Sequence, residues 1–239
     1  MIPLRDDQRT TTTPYVNTAL IAACIVAFLG QTMLPESVFL GMIYAFGSIP
    51  ALLFTEARLP AEFAVLPPTA TLFSALFLHG GWAHIAGNML YLWIFGDNIE
   101  DAMGHARYLV FYLLCGALAG FSHAVMNPMS FIPVVGASGA VSGVLGAYVL
   151  LYPHARVLVF LPLGPWSRLV RLPAFWVLGF WFAFQVLNSL LAPRGAGGVA
   201  WFAHIGGFLS GMLLIPFFKR AHIAILNPPH GSKRLYRRI

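Results

Sequence analysis

Long apolar segments separated by short polar stretches dominate the pattern of this chain. A membrane-spanning helix needs roughly 20 mostly apolar residues. Segments of this kind predict six spans, at residues 16–34, 82–99, 106–125, 137–152, 173–192 and 199–218. The first segment is too long for a removable signal peptide and has no small-residue cleavage site, so we expect it to remain as an anchor.

The composition agrees with a chain that lives in a lipid bilayer. Hydrophobic residues make up 59% of the 239 positions and charged residues only 9%, whereas soluble domains carry about a quarter charged residues. The net charge of +6 does not indicate a nucleic-acid partner, because the basic residues cluster at helix ends. Cys24 and Cys115 lie inside apolar segments, and we interpret them as small core residues rather than a disulfide or a metal pair.

Basic residues predict the orientation of the spans, since Lys and Arg favour cytoplasmic loops. Only Arg58 and Arg194 fall on one side of the predicted bundle. The other twelve of the fourteen fall on the opposite side, at Arg5, Arg9, Arg107, Arg156, Arg168, Arg171, Lys219, Arg220, Lys233, Arg234, Arg237 and Arg238. Both termini are therefore expected in the cytoplasm, which requires an even number of spans.

This orientation divides the chain into a core and two tails. Residues 1–15 form a cytoplasmic tail, residues 16–218 the six-span core, and residues 219–239 a basic cytoplasmic tail. Within the core, residues 35–80 form a long outer loop that is broken by prolines and lies half in the membrane. Residues 126–136 and 193–198 are expected as outer loops, and residues 153–172 as an inner loop.

Polar side chains inside the predicted spans gather at one depth. His84 and Asn88 are four residues apart and share one face of the second span. Ser138 begins the fourth span, and His204 lies near the start of the sixth. All three spans enter from the outer side, so these groups are expected to meet in the outer third of the membrane. Polar groups in lipid are costly, which makes them candidates for function.

Small residues predict how the serine and the histidine approach each other. Gly139, Gly143 and Gly146 lie along the fourth span, and Gly207 and Gly211 form a G-x-x-x-G in the sixth. Such residues allow close contact between membrane helices. A serine beside a histidine is an activated nucleophile. Because no carboxylate lies in the outer half of a span, we expect a Ser-His dyad rather than a triad.

An acyl-transfer site also needs hydrogen-bond donors for the oxyanion. The first turn of the fourth span offers free backbone N–H groups, and Asn88 and His84 add side-chain donors. Alone, each of these features also fits simple helix packing. The string around Ser138, G-A-S-G-A, is not the G-x-S-x-G elbow of α/β hydrolases.

Three motifs together resemble the rhomboid family of intramembrane serine proteases. They are FLHGGWAHIAGNMLYLWIFGDNIED in the second span, GASGAVSG in the fourth and AHIGGFLSG in the sixth. The resemblance covers about residues 70–215 and implies an all-α, polytopic six-transmembrane-helix bundle of the bacterial type. It implies that the chain is a serine endopeptidase that cleaves transmembrane or membrane-anchored protein substrates near the outer face of the bilayer.

The resemblance also implies the roles of the site residues. Ser138 would be the nucleophile and His204 the general base, while Asn88, His84 and the Ser138 backbone amide would stabilise the oxyanion. No cofactor or metal is implied, and both termini would face the cytoplasm of a bacterial cell with the core in the inner membrane. One departure concerns Ser142, where many members place an aromatic ring on the catalytic histidine. His204 is then held less tightly, or gains a hydrogen bond from the Ser142 hydroxyl.

A substrate helix and water must reach a buried dyad, so part of the bundle has to move. The fifth span is crowded with aromatic residues and is followed by a loop with Pro193 and several glycines. We expect Trp181 or Phe182 to pack against the second span near Tyr91 and to close a side entrance.

Three other functions are considered for this sequence. A non-catalytic rhomboid-like protein would bind and guide membrane clients without cutting them. A small transporter would be expected to contain inverted repeats, which the sequence lacks. A metal site at His79, His84 and His204 would lack the H-E-x-x-H pattern and an acidic ligand.

Overall fold

The computed structural model describes residues 1–191 and 198–227. Every predicted span is a helix there, to within a few residues at each end. In chain order the elements are β1 (Ile2–Arg5), α1 (Tyr15–Thr32), α2 (Glu36–Phe46), α3 (Pro50–Phe54), α4 (Pro68–Ser74), α5 (Trp82–Met103), α6 (His105–Met126), α7 (Ser138–Leu151), β2 (Arg156–Leu161), β3 (Arg168–Pro173), α8 (Ala174–Leu191) and α9 (Trp201–Phe218).

Four of these helices, α1, α6, α8 and α9, are long and apolar enough to cross a membrane by length and composition. Helix α5 has 22 residues but carries acidic side chains at its inner end. Helix α7 has 14 residues, or about 21 Å, which is shorter than the hydrocarbon core of about 30 Å. With its apolar helical bundle, the chain is an integral membrane protein.

Helix α7 lies at the centre of the bundle, where nearly all of its residues are buried. Its partner α9 approaches so closely that a methyl group added to Gly207 or Gly211 would collide with the carbonyl oxygen of Gly139 or Gly143. The predicted close approach of the fourth and sixth spans is therefore confirmed. Pro153 ends α7, since proline disfavours helical backbone at the residue before it.

A small antiparallel sheet, ordered β1-β2-β3, joins the N-terminal segment to the segment between α7 and α8. The sequence analysis expected a tail and a plain inner loop in these places. In β2, Val157 and Val159 alternate with more exposed residues and are buried, which is the pattern of a strand with one covered face. The sheet adds to a fold that is otherwise helical, as predicted.

Acidic residues at the inner end of α5 hold the N-terminal segment in place. Glu100 is fully buried and accepts the backbone N–H groups of Val16 and Asn17, at 3.0 and 2.7 Å. It thereby caps the first turn of α1, where the helix dipole favours a negative charge. Asp101 accepts hydrogen bonds from the backbone and hydroxyl groups of Thr11 and Thr12.

The C-terminal end of the described chain returns to the same end of the bundle. The N–H of Arg220 donates to the carbonyl of Ala102 at the end of α5, and the N–H of Leu226 donates to Leu150 at the end of α7. The N-terminal segment, the β2–β3 hairpin and residues 219–227 therefore lie together.

The opposite end of the bundle carries the long loop between α1 and α5. This loop contains α2, α3 and α4, and Ser48 pairs with Val134 in the loop before α7. The Gln31 side chain bonds both the N–H and the carbonyl of His79. Residues 192–197, which include Pro193 and all of the predicted outer loop 193–198 except Gly198, lie outside the described residues, as do residues 228–239 of the predicted basic tail.

Candidate active site

The predicted pair on α5 lies beside the start of α7. His84 and Asn88 are separated by about one helical turn, and both face the segment that leads into Ser138. The Asn88 amide nitrogen is buried and has no hydrogen-bond partner in the described part of the chain. Buried polar groups are rarely left unpaired. The Asn88 amide nitrogen is therefore free to donate to a ligand oxygen at this position.

Gly136 allows this contact between α5 and the start of α7. Its φ of 117° is in a region that favours glycine, and its N–H donates to the Ala75 carbonyl at 2.8 Å. A methyl group in this position would come within 2.5 Å of His84 Nε2 and 3.6 Å of Asn88 Nδ2. A side chain at this position would displace the His84 ring, while Asn88 would stay in ordinary contact with it.

Ser138 is the first residue of α7 and is half-buried. The first N–H groups of a helix lack acceptors within that helix. Its neighbour Gly139 lies against α9, because a methyl group added there would be 3.9 Å from the carbonyl oxygen of Ala203. The residues directly next to Ser138 and His204 are thus in contact.

The structure does not join Ser138 to His204 by a hydrogen bond. The Ser138 hydroxyl takes part in none of the hydrogen bonds among residues 1–191 and 198–227. His204 Nδ1 instead lies 2.7 Å from the side-chain oxygen of Gln185 on α8. The sequence analysis missed Gln185, although an amide inside an apolar span was a signal that could have identified it.

Aromatic rings of α8 and α9 surround the His204 imidazole. The Trp181 ring centroid lies 5.9 Å away at an interplanar angle of 37°, and the Trp201 centroid lies 6.3 Å away, perpendicular to the imidazole. The Ser142 hydroxyl does not hold the ring, because it donates to the Ser138 carbonyl of its own helix at 2.6 Å. Gln185 and the tryptophans take the place of the missing aromatic residue at position 142.

A cavity of about 20 Å³ lies beside Ser138. Its lining includes Ser138, Gly136 and Ala203 together with Ser48 and Ala75 from the outer loop. A volume of this size accommodates about one water molecule. The site therefore has room for water next to the Ser138 hydroxyl.

The two predicted gate residues lie in different places on α8. The Trp181 ring packs near Tyr91 of α5, with centroids 6.5 Å apart. Phe182 stacks on Phe208 of α9 instead, with centroids 4.5 Å apart. Of the two, Trp181 is the one placed between α8 and α5.

His79 supports the site from the loop before α5. Its ring is fully buried, with its centroid 5.2 Å from that of the His84 ring, and neither ring nitrogen has a hydrogen-bond partner among residues 1–191 and 198–227. Burial, with a smaller contribution from His84, lowers the pKa of His79 to about 4. The ring is therefore neutral at pH 7. Among the described residues, no group of three or more His, Cys, Asp or Glu side chains is arranged to hold a metal ion.

Residues 67–221, more than half of the chain, match the family model of the Rhomboid domain. The chain belongs to the rhomboid family. The matched region of this rhomboid contains His84, Asn88, Ser138 and His204, so the whole candidate site lies within the family domain.

Similar proteins come from several kinds of organism. The rhomboid is 30% identical to "Rhomboid protease GluP" of Bacillus subtilis over 69% of its own length and 28% of the relative. It is 28% identical to "Rhomboid protein 1, mitochondrial" of Saccharomyces cerevisiae, over 60% and 40% of the two chains. It is 27% identical to the human "Presenilin-associated rhomboid-like protein, mitochondrial", over 74% and 45%. The chain thus spans less than half the length of these relatives.

Proposed function

We propose that this rhomboid is an intramembrane serine endopeptidase that cleaves transmembrane or membrane-anchored proteins near the outer face of the bilayer. The observation that carries the proposal is the buried, unpaired Asn88 amide beside the N-terminus of α7. A donor without an acceptor is what an oxyanion site needs before its substrate arrives. It lies beside a serine and a histidine on two helices in direct contact.

In the proposed reaction, the Ser138 hydroxyl attacks the carbonyl carbon of the scissile bond while His204 Nε2 accepts its proton. The negative charge that develops on the carbonyl oxygen is stabilised by Asn88, His84 and the backbone N–H of Ser138. His204 then donates the proton to the leaving amine. A water molecule hydrolyses the acyl-enzyme with His204 again as the base, and the cavity beside Ser138 has room for that water.

The short α7 supports cleavage within the membrane. Its C-terminal end is level with the inner part of the bundle, where Leu226 bonds Leu150. A helix of about 21 Å that starts there ends below the outer surface of a hydrocarbon core of about 30 Å. In the proposed orientation, Ser138 would then be submerged on the outer side of the bilayer.

The proposal includes the orientation and the membrane. We propose cytoplasmic termini, because the segments that meet at the inner end carry most of the basic residues, and a bacterial inner membrane. Two of the relatives are named mitochondrial, so the membrane in which the protein lies also has to be tested.

Labelling of single cysteines with a membrane-impermeant thiol reagent tests the orientation. In a variant without Cys24 and Cys115, both free thiols, a cysteine added in residues 162–167 should be labelled from the cytoplasmic side, and one added in residues 127–132 from the outer side. The reverse pattern would contradict this orientation.

Cleavage of a transmembrane substrate in proteoliposomes tests the enzyme directly. Ser138→Ala and His204→Ala should each abolish cleavage. Ser138→Ala should keep the wild-type unfolding temperature, whereas His204→Ala should lower it because the buried Gln185 oxygen loses its partner. Ser189→Ala, whose hydroxyl bonds its own helix, and His154→Ala are the matched controls and should cleave like the wild type. Wild-type rates in Ser138→Ala would refute the proposal.

One observation favours a second function, a non-catalytic rhomboid-like protein that binds membrane clients. Ser138 and His204 are not hydrogen-bonded to each other, as a dyad would be. Catalytic hydrogen bonds are often long in the absence of substrate and tighten when it binds, so we place this function second. It predicts unchanged client binding and no cleavage in both the wild type and Ser138→Ala.

A further inference from the structure

Gln185 is a polar residue in an otherwise apolar membrane helix. Only 4% of its surface is exposed, although many residues of α8 are not buried. A buried amide in this environment is costly unless both its oxygen and its nitrogen are bonded. Its presence therefore requires partners on the neighbouring helix or on its own backbone.

Both ends of the Gln185 amide have partners, and the partners establish its direction. The nitrogen Nε2 lies 3.3 Å from the Trp181 carbonyl oxygen, to which only the amide nitrogen can donate. The oxygen Oε1 consequently faces His204 Nδ1 at 2.7 Å. An amide oxygen only accepts hydrogen bonds, so the proton of a neutral His204 is on Nδ1.

The location of this proton decides what His204 can do. A neutral imidazole with its proton on Nδ1 has a free lone pair on Nε2, which is the atom that removes a proton from a serine in a Ser-His pair. The opposite tautomer would present an N–H to the serine and could not act as its base. Selection of the tautomer is the task of the carboxylate in Ser-His-Asp enzymes.

We propose that Gln185 is the positioning residue of the Ser138–His204 dyad, a neutral counterpart of the triad carboxylate that selects the Nδ1-protonated tautomer and orients the ring. This inference rests on the proposed protease function. An amide performs the task without placing a charge in the membrane interior, where a carboxylate would be expensive. It also explains how the ring is held when position 142 is a serine that bonds its own helix.

Two substitutions of Gln185 and one control separate positioning from packing. Gln185→Leu keeps the size but removes the acceptor, and kcat should fall by about ten- to a hundred-fold, the usual loss for an outer partner of a functional histidine. KM should not change. Asn188→Leu is the matched control, because the Asn188 amide bonds the Phe184 carbonyl of the same helix, and it should leave kcat unchanged.

Gln185→Glu restores an acceptor and adds a charge. It should recover most of the activity lost in Gln185→Leu. A carboxylate beside the imidazole favours the protonated ring, so the acid limb of the pH–rate profile should move to higher pH by about one to three units. A merely structural role would alter the unfolding temperature in Gln185→Leu, and Gln185→Glu would then not restore kcat.

The tautomer itself can be read by ¹⁵N NMR of histidine-labelled protein in the Ser138→Ala background, which needs no activity. The Nδ1-protonated form should dominate, and Gln185→Leu should shift the ring toward the other tautomer. An Nε2-protonated ring, or an active protein whose Gln185→Leu variant keeps the wild-type kcat and pH profile, would overturn the inference. A Ser138→Ala variant that cleaves like the wild type would instead refute the protease, whatever tautomer is seen.

Discussion

The two ends of the helical bundle bury different polar groups: a bonded network surrounds Glu100 at the inner end, where the nearby Asn98 Oδ1 has no partner among the described residues, whereas unpaired nitrogens lie near Ser138 at the outer end. At the inner end, Glu100 accepts two backbone N–H groups and Asn17 both donates to Leu92 and accepts from Tyr108. At the outer end, the Asn88 amide nitrogen and both His79 nitrogens have no partner in the part of the chain that the structure describes. Satisfied buried networks make a structure rigid, whereas unsatisfied donors cost stability. We infer that the inner end holds the fold together, and the proposed function assigns the outer end to the substrate.

The contact between α7 and α9 links these two ends, and its disruption should have the largest effect. A side chain on Gly211 would run into the backbone of Gly143, whereas nothing lies within 4 Å of a methyl group on Gly179 in α8. Gly211→Val should reduce the free energy of unfolding by about 3 kcal/mol or more. The added side chain would clash with backbone atoms, which cannot move aside by a change of rotamer as a side chain can. Gly179→Val is the control and should unfold at nearly the wild-type temperature in detergent. Equal unfolding temperatures for both variants would contradict the close contact.

Substitutions of Asn88 at the outer end and Asn17 at the inner end test the difference between the two ends. Asn88→Ala should lower kcat by roughly ten- to a thousand-fold, the order for one oxyanion donor, and should not lower the unfolding temperature because its nitrogen is unpaired. Asn17→Ala should lower the unfolding temperature and leave kcat unchanged, since it leaves the Tyr108 hydroxyl without its acceptor. Steady-state cleavage and thermal unfolding of both variants provide the check. A raised KM with unchanged kcat in Asn88→Ala would assign that residue to substrate binding instead.

The buried carboxylate at the inner end should contribute to stability only. Glu100→Gln weakens the cap on α1 and should reduce the free energy of unfolding by about 1.5–3 kcal/mol, the usual value for hydrogen bonds to a charged group. The folded fraction should cleave at the wild-type rate. Glu62→Gln, at an exposed position of the outer loop, is the control. A large loss of kcat in folded Glu100→Gln would break the division between the two ends.

The most local expected effect is a pH dependence of the N-terminal strand. Burial raises the pKa of Asp6 to about 7, with Asp97 and Asp7 adding to the shift and the hydrogen bond from the Tyr148 hydroxyl opposing it. Below the unfolded value of 3.8 the carboxyl is neutral in both states. Between 3.8 and about 7 the unfolded chain ionises first, so stability falls as pH rises through this window and is constant above it.

Limited trypsin digestion at Arg5 and Arg9 can detect this change. Cleavage of the wild type should accelerate relative to Asp6→Asn as the pH rises from 5 to 8, because the asparagine does not titrate. An identical pH response in the two proteins would show that Asp6 does not control the attachment of the strand.

The apolar pattern was sufficient to predict the six spans, because a bilayer requires each span to satisfy its own backbone, but it did not predict the short helices α2, α3 and α4 in the loop at residues 35–80. The clustering of His84 and Asn88 with Ser138 also followed from sequence, since they shared one depth. The sheet could not be predicted in this way, because its short strands lie outside the spans, where water can bond the backbone groups. The partner of His204 could not be predicted either. The position of Ser142 suggested that its hydroxyl bonds His204, but this hydroxyl donates to the Ser138 carbonyl one turn earlier in the same helix. The partner of His204 is Gln185, which lies on another helix.

The central claim is that Ser138 is a nucleophile activated by His204, and covalent labelling tests it most directly. The purified protein would be treated in detergent with a fluorophosphonate, and the modified residue identified by peptide mass spectrometry. We predict that the label attaches to Ser138 and that it is lost in both Ser138→Ala and His204→Ala, while Ser189→Ala labels like the wild type. An unlabelled wild-type protein, or equal labelling of Ser138→Ala, would contradict the account.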